Sequence, residues 1–283
     1  MDRMNNGIKL SSARSIPSLI SLRKSTDAQA SAVGAMLSLM IVIIILSMIT
    51  LHYVPVWMEE KERNHMNTVQ KEFMDLSATV NSLIINDDKN SEGKNTVVLG
   101  NEGIPFFSIG TMGTLKIDPY TPSFHVYNET KVLNVTSTGN IRFEPQNRYY
   151  VKQYFVYENG AVIIDQPTGE VVRIEPTFNR TGSTVSMTLI SISGTNNSMT
   201  GTNAQTVVSK LMFYESDTYT WSSENITINI TSSYLDAWEN YFNKTLTSGY
   251  DITTTGSNVI VTINNITTLT IRYAVISAEI VHP

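Results

Sequence analysis

MLSLMIVIIILSMITL, residues Met36–Leu51, holds ten Leu, Ile and Val side chains and no charge. The uncharged stretch is wider, since no Asp, Glu, Lys or Arg stands between Asp27 and Glu59. A helix of that length can cross the roughly 30 Å hydrocarbon core of a bilayer with some tilt. Each Leu, Ile or Val contributes about −0.3 to −0.6 kcal/mol to insertion, and Ser38, Ser47 and Thr50 offset only part of that. A buried core helix is the alternative, but such helices are usually shorter or carry polar breaks. A cleaved secretory signal is the other, with a shorter apolar run and a small-x-small cleavage site. Here Leu51, His52, Tyr53, Val54, Pro55 and Trp57 follow, and bulky aromatic residues suit a membrane interface. The sequence therefore predicts a retained transmembrane helix over residues 28–57.

Charge sets its direction. Arg3, Lys9, Arg14, Arg23 and Lys24 precede the span, whereas Lys61 and Arg63 beyond it are mixed with Glu59, Glu60 and Glu62. The positive-inside bias puts residues 1–27 in the cytoplasm as a basic leader and the rest of the chain outside. A formal net charge of −5 and the lack of any basic run past the N-terminus give no sign of nucleic-acid binding. With no cysteine, disulfides and thiolate metal sites are excluded. About two hundred residues remain beyond the span, enough for one sizeable β domain.

From about Ala28 a helix is expected, its first turns crowded by Ala28, Ala30, Ser31, Ala32, Gly34 and Ala35. Small residues let helix backbones approach closely in lipid. Pro55 should kink or restart the helix. Beyond it, Met66, Val69, Phe73, Leu76, Val80 and Leu83 recur every three or four residues among Glu, Lys, Asn and Asp. That is an amphipathic helix over residues 58–92, ended by NDDKNSEG, with Asp87 and Asp88 at a solvated end. Its stripe could pack on the chain's own β domain or on a neighbouring subunit. Residues 93–283 then change to short β-rich runs. Tyr149–Tyr157 reads as a strand, Asn159-Gly160 as a hairpin turn, Ala161–Ile164 as the return and Glu170–Ile174 as the next strand. Ile226, Ile228 and Ile230 alternate with polar residues, as do Leu269, Ile271, Tyr273 and Val275. One helix is expected at Tyr234–Leu246, with Ser233 and Asp236 able to cap it and Leu235, Trp238, Phe242 and Leu246 on one face. The fold class is thus α+β: a long N-terminal transmembrane and amphipathic helix, then an antiparallel, sandwich-like β domain.

The combination of a basic leader, DAQASAVGAMLSLMIVII, and YVPVWMEEKERNHMNTVQKEFMDL resembles archaeal type IV pilin-like and archaellin-like proteins. GIPFFSIG and YENGAVI are similar to runs in the same group. The resemblance implies a class III leader cut on the cytoplasmic side by a prepilin peptidase, near Asp27 and Ala28. It also implies a helix that anchors in the lipid bilayer and can join other pilin-like subunits in a filament. Ala30–Gly34, ASAVG, stands where such pilins often have S-P-V-I-G or S-E-V-V-G; Ser31 replaces the acidic or proline position.

Signs of catalysis are lacking. His52, His65, His125 and His282 have no metal-ligand spacing, and no nucleophile elbow, phosphate loop or H-E-x-x-H motif occurs. No enzyme, metal or cofactor is expected. N-x-S/T sequons stand at Asn128, Asn134, Asn179, Asn196, Asn225, Asn229, Asn243 and Asn265. Asn225 and Asn229 fall on the polar face of the Ile226–Ile230 strand, where a glycan would extend into solvent. The expected function is that of a pilin-like envelope protein, structural or adhesive; a membrane-anchored binding module that never polymerises is the alternative.

Overall fold

The computed structural model describes residues 19–130 and 132–282, with side chains from Gln29 onward. Two compact units divide between Tyr53 and Val54. The first contains α1 (Leu19–Met48), which runs into a π-helical turn at Ile49–Tyr53. Helix therefore begins before the expected Ala28, because no glycine or proline interrupts residues 19–33. Asp27 and Ala28 both lie within it. The apolar window of this helix is 0% buried, and it meets the length and composition of a membrane span. A soluble core helix would be covered on at least one face.

The second unit starts with α2 (Val54–Ile85). Pro55 is its second residue, directly after the π-helical turn, so the bond that its missing N–H leaves out falls where the helix is already irregular. The expected stripe of Met66, Val69, Phe73, Leu76, Val80 and Leu83 is buried against this unit's own β strands, which settles the choice between own domain and neighbour. The buried face also extends N-terminally through Val54, Met58 and Glu62.

The strands are β1 (Glu92–Val98), β2 (Gly113–Asn128), β3 (Asn134–Pro145), β4 (Tyr154–Glu158), β5 (Ala161–Gln166) and β6 (Gly169–Ile174), then β7 (Phe178–Thr181), β8 (Thr184–Ser193), β9 (Asn197–Gly201), β10 (Ala204–Thr231), β11 (Tyr250–Thr255) and β12 (Asn258–Val281). They form one sheet of twelve strands whose main path runs β6-β5-β4-β3-β2-β10-β12-β8-β7. Pairing is antiparallel except between β8 and β12, which are parallel and depart from the all-antiparallel expectation. The connection from β8 to β12 contains β9, β10, α3 (Leu235–Thr245) and β11, long enough for a parallel return.

The sheet folds over two apolar clusters. One lies beneath α2, with Phe73, Phe143, Phe155, Tyr157 and Ile276 among its members. The other lies beneath α3, with Phe124, Trp238, Phe242, Ile228 and Val261. The long strands β10 and β12 serve both: Val207 and Leu211 face the first cluster, whereas Ile226, Ile228 and Ile230 face the second. The β4–β5 hairpin separates the two, Phe155 and Tyr157 on one side and Val156 and Ile163 on the other. Covering on both faces explains why the arms FVY and AVII of this hairpin are continuously apolar rather than alternating. Its turn is as expected, with positive φ at both Asn159 (46°) and Gly160 (84°).

Candidate functional site

Polar side chains on α2 grip the backbone of the β domain. The Glu62 side chain is fully buried; its Oε1 accepts the Arg148 amide (3.0 Å), and its Oε2 accepts the amides of Tyr149 (2.8 Å) and Tyr150 (2.6 Å). This corrects the strand expected from Tyr149: β4 starts only at Tyr154, because the preceding amides serve a carboxylate instead of a neighbouring strand. One turn on, His65 Nε2 meets the Val98 carbonyl (2.7 Å), and the Glu72 carboxylate accepts the Val98 amide (3.0 Å). Burial lowers the His65 pKa and raises that of Glu72. Lys61 Nζ donates to the carbonyls of Glu102 (3.3 Å) and Gly103 (2.9 Å). Chemically this is a clamp: polar side chains of α2 take up backbone groups of the 102–103 and 148–150 loops and of Val98 at the end of β1.

Sequence reading passed over these residues. From the sequence alone Glu62 is one of several charges after the span. A signal was present, since Glu62 stands four residues from both Met58 and Met66, on the stripe that is buried.

A second buried acid is Glu158, at the end of β4. Ser232 Oγ (2.8 Å) and the Trp238 indole N–H donate to its Oε1, while its Oε2 has no partner among the described residues. Burial outweighs those two donors and pushes its pKa up to about 7. The same contacts start α3. Tyr234 is the cap residue but makes no side-chain cap bond; Ser232 Oγ accepts the Tyr234 amide and Glu170 Oε2 accepts the Ala237 amide. Neither Ser233 nor Asp236 caps the helix, in contrast to the expectation. Leu246 ends it, and Trp238, Phe242 and Leu246 share the buried face as expected, with Leu235 partly buried beside them. The apolar crevice next to Trp238 has a volume of about 20 Å³, room for about one water.

A larger polar cleft of about 400 Å³ is lined by Lys116, Asp118, Arg142, Asn140, Asn196 and Ser198. Its cations are already paired, Lys116 and Arg142 both with Glu144. His52 and His282 are exposed and His125 packs on Tyr127; among the described residues no three His, Cys, Asp or Glu side chains group to hold a metal ion.

The sequons scatter over the β domain instead of forming one site. Asn134, Asn179, Asn196, Asn243 and Asn265 are exposed. Asn128 is fully buried, its Oδ1 accepting the Leu133 amide (3.0 Å) and its Nδ2 donating to Thr130 (2.6 Å). Asn225 and Asn229 are only half-exposed; Asn225 Nδ2 donates to Glu129 (3.0 Å), and Asn229 Oδ1 is buried without a partner among the described residues. They are held between β2 and β12, so the strand's polar face is less open than its alternation suggests.

Against known proteins, a model of a family of unknown function, DUF7289, matches residues 110–279. The match takes in β2 to most of β12 and leaves out α1, α2 and β1. No curated protein and no solved structure matches.

Proposed function

We propose that this chain, which belongs to DUF7289, a family of unknown function, is a single-span envelope protein that holds its β domain outside the cell. The observation that carries the proposal is the contrast within the N-terminal helical region. The large apolar side chains from Val33 to Met48 are exposed, while the stripe from Met66 to Leu83 is buried in the β domain. Exposed aliphatic surface on that scale requires lipid or protein cover. Because α2 belongs to the core of the β domain, the adjoining apolar segment is a permanent tether and not a discarded signal. The basic residues before the span orient it with the N-terminus in the cytoplasm.

The role we infer is structural or adhesive, pilin-like and non-enzymatic, with the lipid bilayer as first partner, prepilin peptidase as processing enzyme near Asp27 and Ala28, and other pilin-like subunits as assembly partners. Nucleic acid is not among its partners. Its support is the clamp at Lys61, Glu62, His65 and Glu72, which fixes α2, the helix that follows the span in the chain, to the β strands of its own unit. The second reading, an anchored module that stays monomeric, is favoured by the cis burial of the stripe, which leaves no extracellular helical seam to share. Protease treatment of intact cells tests the topology: the β domain should be digested and the N-terminal tail spared. A protected β domain overturns it. Recovery of the chain in sheared surface filaments would favour the pilin-like role over the monomeric module.

A further inference from the structure

We propose that the loop Gly103–Gly110, GIPFFSIG, is a second membrane contact that inserts Phe106 and Ile109 into the outer interface; this rests on the single-span reading above. Phe106 is fully exposed (105%) and Ile109 nearly so (81%), in a protein whose other Phe side chains are largely buried or half-buried. The loop is built to hold them there. Its ends are tied by the Asn101 amide to the Thr111 carbonyl (3.1 Å) and by the Thr111 amide to Asn101 Oδ1 (3.1 Å). Inside, Ile104 and Ser108 exchange both backbone bonds at 3.1 and 3.0 Å. At Gly103 and Gly110 an added Cβ would meet backbone oxygens of Ser108 and Asn101 at 2.1 and 1.9 Å, so the tight closure needs glycine. Phe106 itself adopts φ +66°, a conformation unfavourable for an aromatic residue, and gains no burial from it. Strain held in order to expose an apolar ring points to an external partner.

Chain connectivity says which partner. The Lys61 ammonium holds the carbonyls of Glu102 and Gly103, and Lys61 is eight residues past Tyr53, about 12 Å of helix at 1.5 Å per residue. The loop is thus leashed to the first turns of α2, the part of the second unit nearest the span along the chain. Phe106, Phe107, Ile109, Arg148 and Tyr149 line one open cleft, and Met112 and Val151 are exposed in the same segments. Aromatic and aliphatic tips with an arginine beside them are the composition of an interfacial contact, which enters the headgroup boundary by about 5–10 Å. Glu102 and Arg148 are both exposed, so the patch is not strongly basic and its partner is a zwitterionic as well as an anionic lipid surface.

The absence of cysteine allows a clean test on the full chain. Phe106→Cys, Ile43→Cys and Ser257→Cys are each labelled with an environment-sensitive fluorophore and reconstituted into phosphatidylcholine vesicles. Ile43 reports the span and Ser257 an exposed hairpin end. The expected result is lipid-attached nitroxide quenching, a blue shift and loss of iodide quenching at positions 43 and 106, with none of these at 257. Quenching at 43 but iodide access at 106 overturns the loop contact and leaves the span intact. A probe at 106 shielded from both quenchers also overturns it and assigns the loop to a protein neighbour. Iodide access at 43 removes the single-span reading and the loop contact with it. An Ile109→Asp change in the Phe106→Cys chain should restore iodide access at 106; an unchanged signal counts against insertion.

Discussion

Glu62 and Glu158 are both buried carboxylates, yet their surroundings give them opposite roles. Glu62 accepts three backbone amides, which compensate for its removal from water. Glu62→Ala leaves those amides without an acceptor, and at about 1–3 kcal/mol for each unsatisfied group the loss should be at least about 3 kcal/mol. Glu62→Gln retains one acceptor and should cost less. Thermal unfolding of the full chain in detergent checks the order. Glu158 has two donors on one oxygen and none on the other, and its pKa rises from 4.5 to about 7. Between those values the unfolded chain releases the proton that the folded chain keeps, so stability falls as pH rises and levels off above 7. The full change is about 3 kcal/mol at 1.36 kcal/mol per unit. Glu158→Gln can still accept from Trp238 and Ser232, and should flatten most of the slope between about pH 5 and 8 in denaturant melts. The raised carboxyls of Glu72, Asp165 and Glu170 add to the same slope, while the lowered pKa of His65 opposes it below the ordinary histidine value of 6.5.

At the scale of elements, α2 is the test of what a pattern can reveal. Phe73→Ala and Leu76→Ala each remove a fully buried side chain and should each lower stability by about 2–5 kcal/mol. An unchanged melting midpoint would mean that the stripe does not depend on its own β domain. Its period of three and four made the helix and its apolar face legible. So did the Asn159-Gly160 turn and the face of α3, because each follows from local backbone and side-chain geometry. What covered the stripe was not legible, since periodicity fixes a face and not its partner. Nor was the clamp, where Glu62 bonds to residues 148–150, far along the chain. The start of α3 failed for the same reason: its amides are met by Ser232 and by Glu170 from β6, while the nearby Ser233 and Asp236 that looked suitable are unused. The sequons show the limit of alternation on a strand. Mass-spectrometric peptide mapping of protein from its native host should find glycan at exposed sites such as Asn179 or Asn196, and Asn128 bare; a modified Asn128 would require the β2–β3 turn to open.

For the whole molecule, the division of apolar surface would confine the proposed assembly to a narrow region. The β domain covers the stripe of α2, so the continuous apolar helical surface left for a neighbour is that of the first unit, from Gln29 to Tyr53, with Val56 and Trp57 exposed at the start of α2. In lipid, apolar area gives helices no reason to associate, and close packing at small residues becomes decisive. Ala30, Ser31, Ala32, Gly34 and Ala35 provide that surface. At Gly34 an added Cβ meets nothing within 4 Å in the isolated chain, so a larger side chain there fits the monomer. Gly34→Leu should therefore leave the melting midpoint of the β domain unchanged while holding neighbouring helices apart. Phe73→Ala should do the reverse, lowering the midpoint without touching the helix surface in lipid. Cross-linking in native membranes, read beside melts of the same two variants, separates these outcomes. Assembly that survives Gly34→Leu would place subunit contacts on the β domain instead, and a chain that never cross-links at all would be the monomeric module.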